Sequence, residues 1–278
     1  STKTSEFKKV CPERFVEIGI AEQNMIGISS GLAAEGKTVF ATTFGVFATG
    51  RCWEQVRLCV AYPELNVKIV ATHCGISVGE DGATHQALED ISLMRTMPNM
   101  TVISPADAYE TYAATIAIAD HEGPVYMRMG RSPVPTVSEE GEKFIMGQAK
   151  VLREGKDVTL FGTGQMVFNC IEAAEELEKE GVSAEVVNVS TIKPLDRDTV
   201  LASVSKTGCA VTAEEHSIIG GLGSAISELL SEELPSPVFR IGTGDIFGES
   251  GSPAELFVKY GLTSGDIGKA ARKAMKKR

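Results

Sequence analysis

Two consecutive α/β domains, each with a mostly parallel sheet flanked by helices, are the fold class that this 278-residue sequence predicts. Three observations carry the prediction. From Asn66 onward, short β-type runs alternate with longer runs of helical periodicity, the order that builds a parallel sheet through crossover helices. The alternation stops between Ser132 and Met146, where "SPVPTVSEEGEKFIM" combines prolines with a run of acids and no apolar period, as a linker does. It then restarts and continues towards the end of the chain. The domains expected are therefore residues 1–132 and 147–278, joined by 133–146.

Taken in order, "GIAEQNMIGISSGLAAEG" from Gly19 to Gly36 reads as an apolar helix of small residues. "NVKIVATH" reads as a strand, "HQALEDISLMRTMP" as a helix and "TVIS" as a strand. In "SPADAYE" the proline ends that strand and Asp107 is placed to cap the next helix, "DAYETYAATIAIADHEG". "PVYMRMG" closes the first series as a strand. The second series runs "DVTLFGTG" (strand), "QMVFNCIEAAEELEKEG" (amphipathic helix), "AEVVNVS", "GCAVTAEEH" and "SPVFRIG" (strands). "FGTGQM" imitates a nucleotide-binding turn, but Val167 stands where the third glycine of G-x-G-x-x-G belongs, so a plain strand-to-helix turn is expected.

Composition excludes several classes. No stretch approaches the roughly 18 consecutive apolar residues of a membrane span, and no leader-like segment opens the sequence, so a cytoplasmic protein with no membrane contact is expected. A net charge of -10 disfavours nucleic acid, whose polyanion rewards basic clusters. The one basic run, "KAARKAMKKR", is expected to be the solvated face of a C-terminal helix. Six cysteines are scattered without a C-x-x-C pair and are expected to be reduced.

Chemistry concentrates in "THCGISVGEDGATHQ", residues 72–86, which holds two of the four histidines. His73 ends a predicted strand, Glu80 and Asp81 follow in a glycine-rich loop, and His85 is expected at the start of a helix. Loops at strand ends collect catalytic groups, and imidazole is the side chain best poised for proton transfer near neutral pH. The wide spacing of the two histidines and the absence of a His-x-x-x-His helix give no metal site. Glu22 sits among Met25, Ile26 and Gly27, where a carboxylate needs a partner or a ligand if buried; an exposed first-turn acid, favoured by the helix dipole, is the alternative. Gly27, Ser30, Gly31 and Ala33 would let a second helix approach closely, which suits a subunit interface. Phe44 and Phe47 are spaced to project on one side, either as an aromatic wall for a flat ring or as core. Arg131 follows a strand, where a guanidinium suits phosphate. Arg51 and Arg57 flank Trp53, and either could be an ion-pair partner.

In order and spacing, "RFVEIGIAEQNMIGISSGLAAEG", "ATTFGVFATG", "THCGISVGEDGATHQALED" and "MRMGRSPVP" resemble the pyrimidine-binding domain of transketolases. "DVTLFGTGQMVFNCIEAAEEL", "VVNVSTIKPLD", "EEHSIIGGLGSAI" and "DIFGESG" resemble the C-terminal domain of the same family, so the resemblance covers nearly the whole chain. It implies that Glu22 hydrogen-bonds the aminopyrimidine of thiamine diphosphate and so activates it, and that Phe44 and Phe47 form the pyrimidine pocket. It implies that His73 and Arg131 bind substrate phosphate, that Asp81 binds an acceptor hydroxyl, and that His85 stands beside the reacting carbons and helps proton transfer. Enzymes of this type hold the diphosphate through Mg2+ or another divalent metal on a Gly-Asp-Gly motif, which this sequence lacks. The resemblance therefore implies an N-terminal transketolase subunit as partner, or a longer chain of which this is a fragment, with sugar phosphates as substrates and a homodimer-type contact through the Glu22 helix. The resemblance also implies an earlier strand and helix, ahead of "STKTSEFKKV", so the first part of the domain is expected to be missing from this sequence or trimmed. Deoxyxylulose-phosphate synthase shares the "GIAEQ" and "DGATHQ" text, but typically has Asp-Arg where this chain has Thr72-His73. The beta subunit of two-oxoacid dehydrogenases is a more distant relative, and an inactive scaffolding subunit is the non-enzymatic alternative.

Overall fold

The computed structural model describes residues 2–278. Ten strands form two five-stranded sheets. The first sheet is built from β1 (Val39–Phe44), β2 (Val67–Thr72), β3 (Thr101–Ile103) and β4 (Val125–Arg128), all parallel, in the order β1-β2-β4-β3. The second comprises β5 (Lys150–Arg153), β6 (Val158–Gly162), β7 (Ala184–Asn188), β9 (Ala210–Ser217) and β10 (Val238–Thr243) in the order β10-β9-β6-β7-β5, with only β5 antiparallel. The remaining strand, β8 (Thr191–Lys193), leaves the second half of the chain and pairs antiparallel with β3, completing the first sheet. The two sheets are thus stitched by backbone, and Ser104 N donates to Ser190 O at 2.7 Å beside the junction.

The first half carries α2 (Glu22–Ala34), α3 (Trp53–Gln55), α4 (Asp90–Arg95) and α5 (Ala108–Asp120), preceded by α1 (Ser5–Val10), which buries no residue. The second half carries α6 (Met166–Lys179), α7 (Arg197–Thr207), α8 (Leu222–Glu233), α9 (Pro253–Lys259) and α10 (Ser264–Met275). The central strands β2, β4, β6 and β7 are buried along almost their whole length, because a parallel sheet covered on both faces has no solvent side. Lys68 in β2 is tolerated there because its Nζ donates to His121 O and Gly123 O at 2.7 and 2.6 Å. Asp107 caps α5, accepting from Glu110 N at 3.0 Å, and its other oxygen accepts from Val137 N and Ser138 N at 2.6 and 2.7 Å. One carboxylate therefore fixes both the helix start and the connecting segment. The basic C-terminal run forms the outer face of α10, whose Ile267, Ala270, Ala271 and Ala274 are buried. All six cysteines are free thiols.

The helix expected from His85 is shorter than its periodicity suggests. Residues 85–89 are not helical, and α4 begins only at Asp90. Gly75 N donates to Ala87 O at 2.9 Å and Cys74 bridges Ala87, so the backbone groups that would start the helix are engaged by the chain leaving β2. His85 accordingly lies in a turn, its N–H on Gly82 O at 3.0 Å.

Candidate active site

Phe44 ends β1, His73 directly follows β2 and Arg131 lies just beyond β4. These strands are parallel neighbours, so all three residues emerge at the same carboxyl edge of the sheet, where open α/β folds bind ligands. The chain leaves β2 through a tight helical segment, Ile76–Asp81, kinked at Gly79, which carries Asp81 and then His85 to the same edge. His73 takes a left-handed backbone (φ 57°), uncommon for a residue with a side chain, and stacks its ring on Phe44 with centroids 3.8 Å apart. Phe44 and Phe47 lie nearly parallel, 14° and 6.2 Å apart, and His85 meets Phe47 edge-on at 5.4 Å. The two histidine Nδ1 atoms contact the hydroxyls of Thr72 and Thr84, each at 2.9 Å.

Glu22 opens α2 and is 7% exposed, so the exposed first-turn alternative does not hold, although its neighbours Gln23 and Asn24 do face solvent. Its Oε2 accepts from Arg51 Nη1 at 2.8 Å, and the same guanidinium lies 4.4 Å above the Phe47 ring. The structure thus selects Arg51 rather than Arg57 as the ion-pair partner. Among the described residues nothing donates to Glu22 Oε1, so one oxygen of this largely buried carboxylate is uncommitted. On the other side, Arg131 Nη1 donates to Val78 O at 2.7 Å and lies 3.5 Å from Asp81 and 3.9 Å from Glu80. Burial and the Arg131 charge push the His73 imidazole below its ordinary pKa, with Asp81 opposing. The seven residues singled out in the sequence therefore form one cluster: carboxylate and rings at one end, imidazoles in the middle, guanidinium and second acid at the other.

Sequence reasoning missed the layer beneath. Asp90, fully buried, accepts from Tyr126 Oη at 2.6 Å and Arg128 Nε at 2.8 Å, and Arg128 Nη2 continues to Glu215 O at 2.7 Å. The signal was present: Arg128 is a charged residue inside an otherwise apolar strand, and a buried guanidinium requires a carboxylate. Among the described residues, no group of three or more His, Cys, Asp or Glu side chains is placed to hold a metal ion.

Family models for the transketolase pyrimidine-binding domain and the transketolase C-terminal domain match residues 1–136 and 147–267. The chain belongs to the transketolase family. It is 49% identical to a Methanocaldococcus jannaschii chain named for the C-terminal section of a transketolase, over all of this chain and 88% of that one. A 6-deoxy-6-sulfo-D-fructose transketolase subunit of Clostridium sp. is 46% identical over all of this chain and 86% of its own length. Among solved structures, a split-gene transketolase described as an inactive beta4 tetramer superposes with a TM-score of 0.94 at 51% identity, covering 99% of this chain and 90% of that one. The transketolase family is in general dependent on thiamine diphosphate.

Proposed function

We propose that this chain is the C-terminal subunit of a two-chain transketolase that moves a two-carbon ketol unit from a ketose phosphate to an aldose phosphate. The observation that carries the proposal is the convergence of a buried carboxylate with a free oxygen, a parallel phenylalanine pair, two imidazoles and an Arg–Asp pair at one sheet edge. When bound, thiamine diphosphate supplies the electron sink that carbon–carbon cleavage needs.

In this chain Glu22 Oε1 holds or moves a proton at a ring nitrogen of the aminopyrimidine, while Phe44 and Phe47 line the ring and exclude water. Burial makes that carboxylate effective, since hydrogen bonds and charges act more strongly out of water. His85, edge-on to Phe47, orients substrate hydroxyls and relays protons near the reacting carbons. Asp81 accepts from an acceptor hydroxyl, and Arg131 with His73 grips the distal phosphate. The Clostridium relative is named for a substrate with a sulfonate at that end of the sugar, an anion of the same general shape.

The sequence contains no Gly-Asp-Gly motif, so the diphosphate and its divalent metal are assigned to an N-terminal subunit in the cytoplasm. The outer face of α2 suits a homodimer-type contact: Gly27 and Gly31 are exposed, and a Cβ built at either meets nothing within 4 Å. The isolated chain is therefore inactive, in keeping with the inactive beta-only assembly of its split-gene relative. The test is to mix the chain with an N-terminal transketolase subunit, thiamine diphosphate and Mg2+, using ketose and aldose phosphates as donor and acceptor. Activity in the mixture alone is expected. Magnesium-dependent micromolar binding of the cofactor to this chain by itself, or a well-folded but inactive mixture, would overturn the proposal.

A further inference from the structure

The segment that carries the site's chemistry, residues 75–86, is held from two sides: Gly75 N and Val78 O are bonded to Ala87 O and Arg131 Nη1 of its own domain, and the rest of its support comes from the second half of the chain. Glu215, on β9 of the second sheet and 3% exposed, reaches across the boundary. Its Oε1 accepts from Ser77 N at 2.5 Å, and its Oε2 accepts from Gln165 Nε2. The carboxylate lies so close to the chain at Gly75 that a Cβ there would stand 2.3 Å from its Cδ, and Gly75 has φ 86°. Only glycine meets both demands. Further along, Gly79 and Gly82, with φ 81° and 72°, leave room for Pro253 and Ser250 of the second half. Gln86 Nε2 then donates to Glu249 O at 2.9 Å. Ile76 is buried within the apolar core of the second sheet. The same segment presents Asp81 and His85 on its other side.

We propose that Glu215 is a positioning residue for the candidate active site: from the second domain, its carboxylate fixes the turn at residues 75–81 and so sets where Asp81 and His85 stand. Apolar packing of Ile76 holds the segment against the second sheet but does not select one orientation of its peptide groups, because hydrophobic contact is non-directional. The bond from Ser77 N to Glu215 is directional, and a buried donor left without it must find another partner. Each oxygen of Glu215 accepts from an N–H group, and these bonds together with the Arg128 charge oppose the burial that pushes its pKa above the ordinary range. The inference gives the C-terminal domain a task within the site. Its catalytic consequence rests on the transketolase proposal above, whereas the clamp itself does not.

The test compares Glu215→Ala, Glu215→Asp and Glu215→Gln in the full chain. Asp keeps the charge but falls one carbon–carbon bond short of Ser77, while Gln keeps an acceptor oxygen for Ser77 N and needs only the Gln165 amide to turn. Amide hydrogen exchange over residues 75–86, measured on the chain alone, is expected to quicken at Ser77 by about tenfold in the Ala and Asp variants, the worth of one buried hydrogen bond. The Gln variant is expected within about threefold of the parent. In the complex with the N-terminal subunit, Ala and Asp should lower kcat about tenfold and raise KM for the acceptor, with Gln restoring both. A smaller folded fraction would lower apparent turnover but leave KM unchanged, which separates positioning from plain destabilisation. Unchanged exchange in Glu215→Asp, or unchanged kinetics in an active complex, overturns the proposal. If the parent complex is inactive, the functional assignment fails while the exchange data still decide the clamp; if Glu215→Ala does not fold, Glu215→Asp against Glu215→Gln decides it.

Discussion

Replacing Glu22 by Gln separates catalysis from stability at the centre of the site. Gln occupies nearly the same volume, so the packing around the start of α2 is preserved, but an amide cannot take up and release a proton. The stability cost follows from the partner. Glu22 is 7% exposed, yet the Arg51 side chain that binds it is 46% exposed, so solvent screens the ion pair and its contribution belongs with surface pairs at about 0–1 kcal/mol. The Gln carbonyl still accepts from Arg51, and removing a carboxylate lifts its desolvation cost. For a domain of this size 1 kcal/mol corresponds to about 2–4 °C, so melting should stay within about 4 °C of the parent. Turnover in the two-subunit complex should fall at least about a hundredfold, the usual lower range for a general acid–base group. Proton exchange at the thiazolium carbon of thiamine diphosphate, followed by NMR after acid quench, reads the step directly. Exchange at the parent rate in a folded Glu22→Gln complex would refute the assigned role of this carboxylate.

Two further outcomes are expected. Arg131→Ala and His73→Ala should raise KM for phosphorylated donors about ten- to hundredfold, the worth of a charge-assisted contact, with a smaller change in kcat; equal losses with unphosphorylated donors would show that neither residue reads the phosphate. For Asp107, burial pushes the carboxyl up, but bonds from Glu110 N, the Ser138 hydroxyl, Val137 N and Ser138 N outweigh it and hold the pKa below the ordinary 3.8. Its contribution is therefore complete above about pH 4 and is lost as pH falls through the depressed folded value. Asp107→Ala should cost about 0.5–2 kcal/mol at pH 7, as loss of a helix cap does, and flatten the acid limb of the urea stability profile; an unchanged acid limb would show that another group governs it.

Much of the fold is legible because its determinants are local. The alternation of β-type and helical runs marks β2, β3, α5, β4, β6, α6, β7, β9 and β10, and the Asp107 cap follows from a proline, an acid and a helical period within a few residues. His73, Asp81, His85 and Arg131 stood out by residue type at the ends of those local patterns, whereas Glu22, Phe44 and Phe47 were open between two readings until the resemblance to transketolases singled them out. The order of parallel strands then brings most of them to one edge.

What the tertiary structure decided is what depends on partners far away in the chain. The transfer of β8 into the first sheet rests on its pairing with β3, some ninety residues earlier, which no period in "TIK" announces. The start of α4 was moved because Ala87 is paired to the chain leaving β2, and backbone groups already bonded across space cannot also open a helix. Arg51 was distinguished from Arg57 only by which guanidinium reaches a buried carboxylate. Asp90, Arg128 and Glu215 were hidden for the same reason: a charge is tolerated in a core only when its counter-group arrives there too, and long-range folding alone brings the two together.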